Sequence, residues 1–399
     1  NDGVDLINAG AGRAVIIGGG KGDNIKATSS ANANNLIIGD GGNAEFSGGN
    51  ILLKAQTRNE SVGDDDVINM SAGHNIVFGG FGSDTVNVGA GNDIILGDNG
   101  SVEVDYTNGT VIQSTDTDVS TAGDDTIIAA NGDTKVIAGF GADTVTTGAG
   151  DDVIIGDNGS MTFNTDGLLT NIIGVADTVD GIDTINAGDG RAVIIGCGAG
   201  DQITSDIAAA NNVIIGDGGS ATFDASGAVI TASSIVEVVG GNDDIDIAAG
   251  SSVIFGGFGE DTIDVAAGDG NTIAVGDNGR VTYGADTIVI TSTDETAASA
   301  GNDTITTQDG DDYVIGGFGE DTINTNDGYD IVIGDQGTMT FTADNLLTNI
   351  IGVADDTNDG VDLINAGAGR AVIIGGGKGD NIKATSSANA NNLIIGDGG

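Results

Sequence analysis

The chain contains no proline, no tryptophan, one cysteine and one histidine, and only 11 lysines and arginines against 60 acidic residues. Each shortage excludes something. A lone Cys197 can form no intramolecular disulfide. One cysteine and one histidine cannot build a zinc site. A net charge of -49 repels nucleic acid and anionic membranes, so neither is an expected partner. The longest apolar runs are a few residues, far short of the ~20 needed for a transmembrane helix. No HExxH, P-loop, Ser/His/Asp constellation or basic patch occurs, and His74 sits at a variable repeat position, so the chain does not read as an enzyme.

What is present is glycine, 72 residues of it, and 39% apolar residues, enough for a core. The acidic residues are overwhelmingly Asp; the glutamates are Glu45, Glu60, Glu103, Glu237, Glu260, Glu295 and Glu320. Solubility does not distinguish the two carboxylates. Tight turns and hard-cation coordination do, because Asp holds its carboxylate close to its own backbone.

Repeats occur at three scales. Residues 1–42 recur unchanged at 358–399, so one continuous array over 1–399 that extends beyond both ends is expected. Within it, (I/V/L)-G-D-(N/G/Q)-G places Asp at 40, 98, 157, 217, 277, 335 and 397. These mark units at about 1–40, 41–98, 99–157, 158–217, 218–277, 278–335 and 336–397. The segment from Thr162 also resembles that from Thr340, three units on, which points to growth by duplicated triplets. Each unit holds four nonapeptides, clearest as STAGDDTII, AANGDTKVI, AGFGADTVT and TGAGDDVII over 120–155, then a connector of alternating β-formers around a turn. Asn-Gly and Asp-Gly turns, as in SVEVDY-TNG-TVIQS from Ser101 and MTF-NTDG-LLTNIIG from Met161, predict one projecting β-hairpin per unit.

The nonapeptides GGFGSDTVN (79–87), GGFGEDTID (256–264) and GGFGEDTIN (316–324) resemble the RTX, or hemolysin-type, calcium-binding repeat G-G-x-G-x-D-x-U-x. That resemblance implies an all-β parallel β-roll, multiple calcium ions, and export as an unfolded polyanion that folds in external calcium. The residues support the same fold. Six Gly-rich positions turn sharply, three β-branched positions form a short strand, and position eight points inward. Two nonapeptides make one coil, and coils stack about 4.8 Å apart, giving roughly 60 Å per large period.

Stacking tests the metal reading. Position-six aspartates one coil apart should face one another along one edge, and every unit has the pair: Asp5/Asp23, Asp66/Asp84, Asp125/Asp143, Asp183/Asp201, Asp243/Asp261, Asp303/Asp321 and Asp362/Asp380. Stacked carboxylates repel, and an intervening divalent cation reverses the sign. Calcium fits, because turn carbonyls complete its loose oxygen shell, whereas magnesium holds its water too firmly. The opposite edge is mixed: Asn75/Asp93, Thr134/Asp152, Ala192/Ala210, Ser252/Gly270, Asp312/Asp330 and Ala371/Asn389. There Asp93, Asp152, Asp312 and Asp330 are the candidate ligands. Asp40, Asp98, Asp157, Asp217, Asp277 and Asp335 either add a ligand where coil gives way to hairpin or simply open the hairpin as Asx turns. In GGGKGD (18–23 and 375–380) Lys, and in GCGAGD (196–201) Ala, replaces the fourth glycine, which predicts weaker loops.

The expected function is mechanical: a calcium-stiffened extracellular rod or filament in a bacterial surface layer, matrix fibre or adhesin stalk. Partners would be further copies, joined end to end or laterally, and cell-surface or matrix components. The alternative is an accessory secretion array of a toxin, adhesin or hydrolase whose active domain lies elsewhere.

Overall fold

In the computed structural model every regular element of the described residues is a β-strand. The structure describes all residues except 1–2, 29, 32, 59–61, 118–122, 207–211, 236–238, 267, 269, 295–300, 354–356, 386–390 and 398–399. The chain divides into two compact units, Asn1–Cys197 with Ala225–Gly227, and Gly198–Asp224 with Ala228–Gly399.

The first unit has three layers. Sheet A stacks seven parallel strands from Leu6–Ala9 to Thr184–Ala187, and sheet B seven more from Val15–Ile17 to Ala192–Cys197. One coil gives a strand to A, turns, gives a strand to B and turns back. Within a pair of coils each strand meets the one two nonapeptides on, Thr126 facing Thr144 and Lys135 facing Val153. Where a hairpin intervenes the step lengthens, as from Thr85 to Thr126 and from Ile94 to Lys135. The connector is therefore looped out without breaking the stack.

The two sheets differ because their surroundings differ. Sheet A strands such as Thr85–Val88 alternate, with Val86 fully buried and the Thr and Asn side chains turned outward. Sheet B strands read as unbroken apolar runs. Val153, Ile154 and Ile155 are all buried, as a strand covered on both faces requires.

The outer cover of sheet B is the hairpins, and here the expectation of singly projecting hairpins is corrected. Gly100–Asp105 and Gly109–Ser114 form the predicted hairpin. Its neighbours then pair with it on both sides, Val102 facing Ala55 and Ile112 facing Met161. The result is a six-stranded antiparallel sheet C, from Gly42–Phe46 to Leu169–Val175. Val102, Ile112, Met161 and Ile172 are buried beneath it, each contributing about 1.5–3 kcal/mol of apolar burial. Edge pairing satisfies backbone groups that isolated hairpins would leave to solvent. The layers approach closely at glycine: a Cβ on Gly100 would fall 2.1 Å from Leu96 Cδ2.

The second unit repeats this plan. Its sheet A runs from Gln202–Ser205 to Asn381–Thr385 and its sheet B from Asn212–Asp217 to Leu393–Asp397. Its sheet C runs from Gly219–Phe223 to Leu347–Val353. Tyr313 of sheet B and Phe341 of sheet C meet with ring centroids 4.5 Å apart. On the opposite edge Ser252 faces Thr272, not Gly270, because extra residues lengthen that turn. Ala371 likewise donates its amide to Asn392 (3.0 Å). Ala210 and Asn389 lie outside the described residues.

Candidate metal sites

The turn from sheet B to sheet A carries the predicted aspartates, and within each unit they form a file. In the first unit the Asp5 amide donates to Asp23 Oδ1 (2.7 Å), Asp23 to Asp66 (2.5 Å) and Asp66 to Asp84 (2.6 Å). The file continues from Asp84 to Asp125 (2.6 Å), Asp125 to Asp143 (2.7 Å) and Asp143 to Asp183 (2.8 Å). In the second unit it runs from Asp201 to Asp243 (2.6 Å), to Asp261 (2.8 Å) and to Asp303 (2.8 Å). It then reaches Asp321 (2.8 Å), Asp362 (2.9 Å) and Asp380 (3.1 Å). Six of the seven pairs seen in the sequence are thus alternate rungs within a unit, and the steps across hairpins are bonded identically.

One carboxylate oxygen serves the backbone; the other does not. Oδ2 of Asp66, Asp84, Asp125 and Asp143, and of Asp243, Asp261, Asp303, Asp321 and Asp362, is buried with no hydrogen-bond partner. These oxygens lie over the first glycine of each turn: a Cβ on Gly97 would fall 2.1 Å from Asp125 Oδ2, and one on Gly276 2.1 Å from Asp303 Oδ2. That glycine serves close approach. Gly80 and Gly82, at φ 123° and 110°, serve the turn itself. Lys378 (φ 56°), Ala199 (φ 65°) and Cys197 (φ 93°) hold left-handed conformations that glycine would take without strain.

The Gly-Asp residues reach into the same turn. Asp40 Oδ2 accepts from the Phe81 amide (2.6 Å), Asp98 from Phe140 (2.8 Å), Asp217 from Phe258, Asp277 from Phe318 (2.6 Å) and Asp335 from Gly377 (2.6 Å). Asp157 is equally buried. Oδ1 of Asp217, Asp277 and Asp335 accepts a further turn amide, whereas Oδ1 of Asp98 is buried without a partner. Asp40, Asp98, Asp217, Asp277 and Asp335 thus each bond a turn that lies beyond the hairpin they open. Asp116, Asp294 and Asp359, all buried, escaped the sequence reading. Asp116 and Asp294, where hairpins return, are buried and accept from Asn99 and Asn278. The readable signal was Asp at the end of the connectors in TDTD and STDE.

Burial raises every one of these carboxyls that moves. Asp66 and Asp335 rise from 3.8 to about 8, and Asp40, Asp261 and Asp362 to about 7, chiefly by loss of water. Asp84, Asp98, Asp143, Asp277, Asp303 and Asp321 rise well above the ordinary range, by burial first and then by neighbouring carboxylates. Asp125, Asp183, Asp217 and Asp243 rise likewise, burial again leading.

The opposite edge resolves its charges differently. Asp152 accepts the Thr134 amide (2.9 Å) and the Thr147 hydroxyl (2.7 Å). Asp312 accepts the Thr272 amide (2.7 Å) and the Thr307 hydroxyl (2.6 Å). Asp330 accepts the Asp312 amide (3.3 Å) and the Thr325 hydroxyl (2.9 Å). In all three the hydroxyl comes from five residues upstream. Asp93 Oδ1 accepts from the Asn75 amide and side chain, and its Oδ2 is buried without a partner.

No group of three or more His, Cys, Asp or Glu side chains among the described residues forms a ready-made cage. The donors suit calcium even so. They are all oxygen, one or two carboxylates per turn, and carbonyls stack beside them: a Cβ on Gly141 would lie 2.2 Å from Gly123 O. A cation held mainly by backbone needs few side chains.

A scan of known families agrees with this geometry. The family described as the RTX calcium-binding nonapeptide repeat matches in four copies, over residues 70–101, 129–160, 297–332 and 315–338. No curated protein sequence matches the chain. The matched copies contain file residues Asp84, Asp143, Asp303 and Asp321 together with Gly-Asp residues Asp98, Asp157 and Asp335. The chain carries RTX calcium-binding nonapeptide repeats, and its described residues fold as an all-β parallel β-roll.

Proposed function

We propose that the chain is a calcium-locked structural array, a stiff non-catalytic segment of an extracellular rod, filament, surface layer or stalk. The observation that carries this reading is a set of buried file carboxylates, Asp66, Asp84, Asp125, Asp143, Asp243, Asp261, Asp303, Asp321 and Asp362, whose Oδ1 is bonded to backbone and whose Oδ2 is turned into a Gly-lined turn without a donor. Calcium, when bound, supplies the positive charge that allows such carboxylates to remain ionised at neutral pH. The file residues, with Asp40, Asp98, Asp157, Asp217, Asp277 and Asp335, are the ligands. On the opposite edge Asp93 keeps an oxygen to spare, whereas Asp152, Asp312 and Asp330 each accept a backbone amide and a threonine hydroxyl, which leaves fewer lone pairs for an ion.

Stiffness follows from the stacking. Seven coils in one register, about 4.8 Å apart, cannot bend without opening strand hydrogen bonds. Metal binding and folding are then one event, which suits export as a self-repelling polyanion and association of copies only outside the cell. Calcium titration of the chelated chain tests the reading by far-UV circular dichroism and bound-metal stoichiometry. A cooperative coil-to-β transition with at least one ion per repeat unit is expected. A chain folded in chelator that takes up no calcium would leave a metal-free solenoid.

A further inference from the structure

We propose that a cleft in the first unit binds a pyranose sugar. It lies between the outer face of sheet B, at the edge away from the aspartate file, and the tips of the first two hairpins, with a volume of about 630 Å³. That is the size of a small-molecule site.

The cleft has a sequence cause. One position near each hairpin tip is aromatic in five of the six hairpins, namely Phe46, Phe163, Phe223, Tyr283 and Phe341, and is Val104 in the second. Phe163, Phe223 and Phe341 are buried, filling the space between sheets C and B. The cleft beside Phe163 has shrunk to about 100 Å³. Beside Val104 the ring is missing and the space stays open.

Its chemistry is unlike the rest of the molecule. No Asp or Glu lines it, in a chain with 60 of them. Ile51, Ile76, Ile94 and Val104 give an apolar surface beside the Tyr106 ring, whose hydroxyl donates to Leu52 O (3.2 Å). Asn34 and Asn50 lie among its walls, as does Asn92, whose carboxamide donates to Asp133 Oδ2 (3.1 Å) and accepts the Asp133 amide (3.2 Å). His74 Nδ1 accepts the Asn92 amide (3.0 Å), which places the imidazole proton on Nε2 as a donor. Arg13 is committed to Asn50 O (2.5 Å) and the Phe46 ring (5.2 Å).

A pyranose matches this set. It has one C–H face for aliphatic and aromatic packing and a rim of hydroxyls, each both donor and acceptor, as carboxamides are. A metal ion would lack carboxylates here. A phosphorylated ligand would meet one guanidinium already engaged, in a chain of net charge -49. The inference does not depend on the rod reading.

The test uses the isotope-labelled 399-residue chain in calcium buffer. Methyl glycosides of glucose, galactose, mannose and N-acetylglucosamine, and methyl glucuronide, are added while the amide signals of Asn92, Ile94 and Tyr106 are followed. At least one glycoside should saturate these signals with millimolar affinity. Val104→Phe, which installs the ring carried by sister hairpins, should weaken binding by about tenfold or more with an unchanged circular dichroism spectrum. Asn34→Ala, at an exposed position of the cleft wall, should show a similar loss and keeps the test open if Val104→Phe misfolds. Absence of shifts with every glycoside, or wild-type affinity in both variants, overturns the assignment.

Discussion

Removing calcium should unfold this protein at neutral pH but not in mild acid. In the metal-free fold Asp66 has its carboxyl raised from 3.8 to about 8, while in the unfolded chain it ionises near 3.8. Between those values the folded state binds more protons than the unfolded one. The metal-free fold is therefore most favoured below about pH 4, and it loses stability as pH rises toward 8. By pH 7 the fold has lost about 4 kcal/mol of the stability this one group gives it in acid, because the unfolded chain has ionised there and the fold has not. Asp40, Asp261, Asp335 and Asp362, raised to about 7 or 8, act in the same direction. A typical domain is held by only roughly 5–15 kcal/mol, so losses at several sites at once weigh heavily on the metal-free fold. Chelated protein followed by circular dichroism from pH 4 to 8 should be β-rich in acid and coil at neutrality, with added calcium restoring β at pH 7. High salt separates this cause from simple repulsion among exposed carboxylates: at about 1 M the screening length falls to ~3 Å, which relieves exposed charge but not buried charge. Folding of the chelated chain at pH 7 in high salt, or equal stability across the range, would refute the argument.

Other consequences concern single side chains. Asp143→Asn keeps the ladder acceptor but removes a charge, so isothermal titration should count fewer ions while the chelated variant gains stability at pH 7. Thr147→Val leaves Asp152 Oδ2 without its hydroxyl donor; thermal melts should show a loss of about 1–3 kcal/mol with an unchanged ion count. Gly97→Ala would press a Cβ 2.1 Å from Asp125 Oδ2 and 2.3 Å from Ala138 O, so denaturant unfolding in calcium should show a loss of about 3 kcal/mol.

The sequence displayed the coil because its chemistry is local: glycine turns, β-branched strands and an aspartate in every second repeat each make sense within one or two nonapeptides. It concealed what depends on surfaces far apart in the chain. The runs VII in sheet B differ from TVN in sheet A, and this difference was the sign that sheet B is covered twice, but only the pairing of Ile112 with Met161 shows what covers it. The bonding of Asp84 to Asp125 was hidden because the intervening hairpin disguises coil neighbours as distant residues. The hydroxyl partners of Asp152, Asp312 and Asp330 were legible as Thr five residues upstream, a spacing that has meaning only once the turn geometry is known.

The duplicated segment offers a test of how far a coil depends on its neighbours. Residues 1–42 and 358–399 are identical, yet their burial differs in opposite senses. Leu36 and Ile37 are 2% and 0% exposed, while their counterparts Leu393 and Ile394 are 52% and 46% exposed. Leu6 is 73% exposed and its counterpart Leu363 only 38%. In the first copy the later coil lies beneath a further coil, through Leu36 facing Ile76; in the second copy the earlier coil does, through Val372 facing Ile331. If stability in a solenoid is a sum of coil and nearest-neighbour contributions, protection follows position and not sequence. Segmental isotope labelling of 358–399 in the 399-residue chain would let hydrogen exchange separate the copies. Amides at Leu36 and Ile37 should exchange far more slowly than those at Leu393 and Ile394, and those at 363–365 more slowly than those at 6–8. Matching rates in the two copies would mean that each coil carries its own stability, and that the stacked carboxylate file adds no cooperativity between coils.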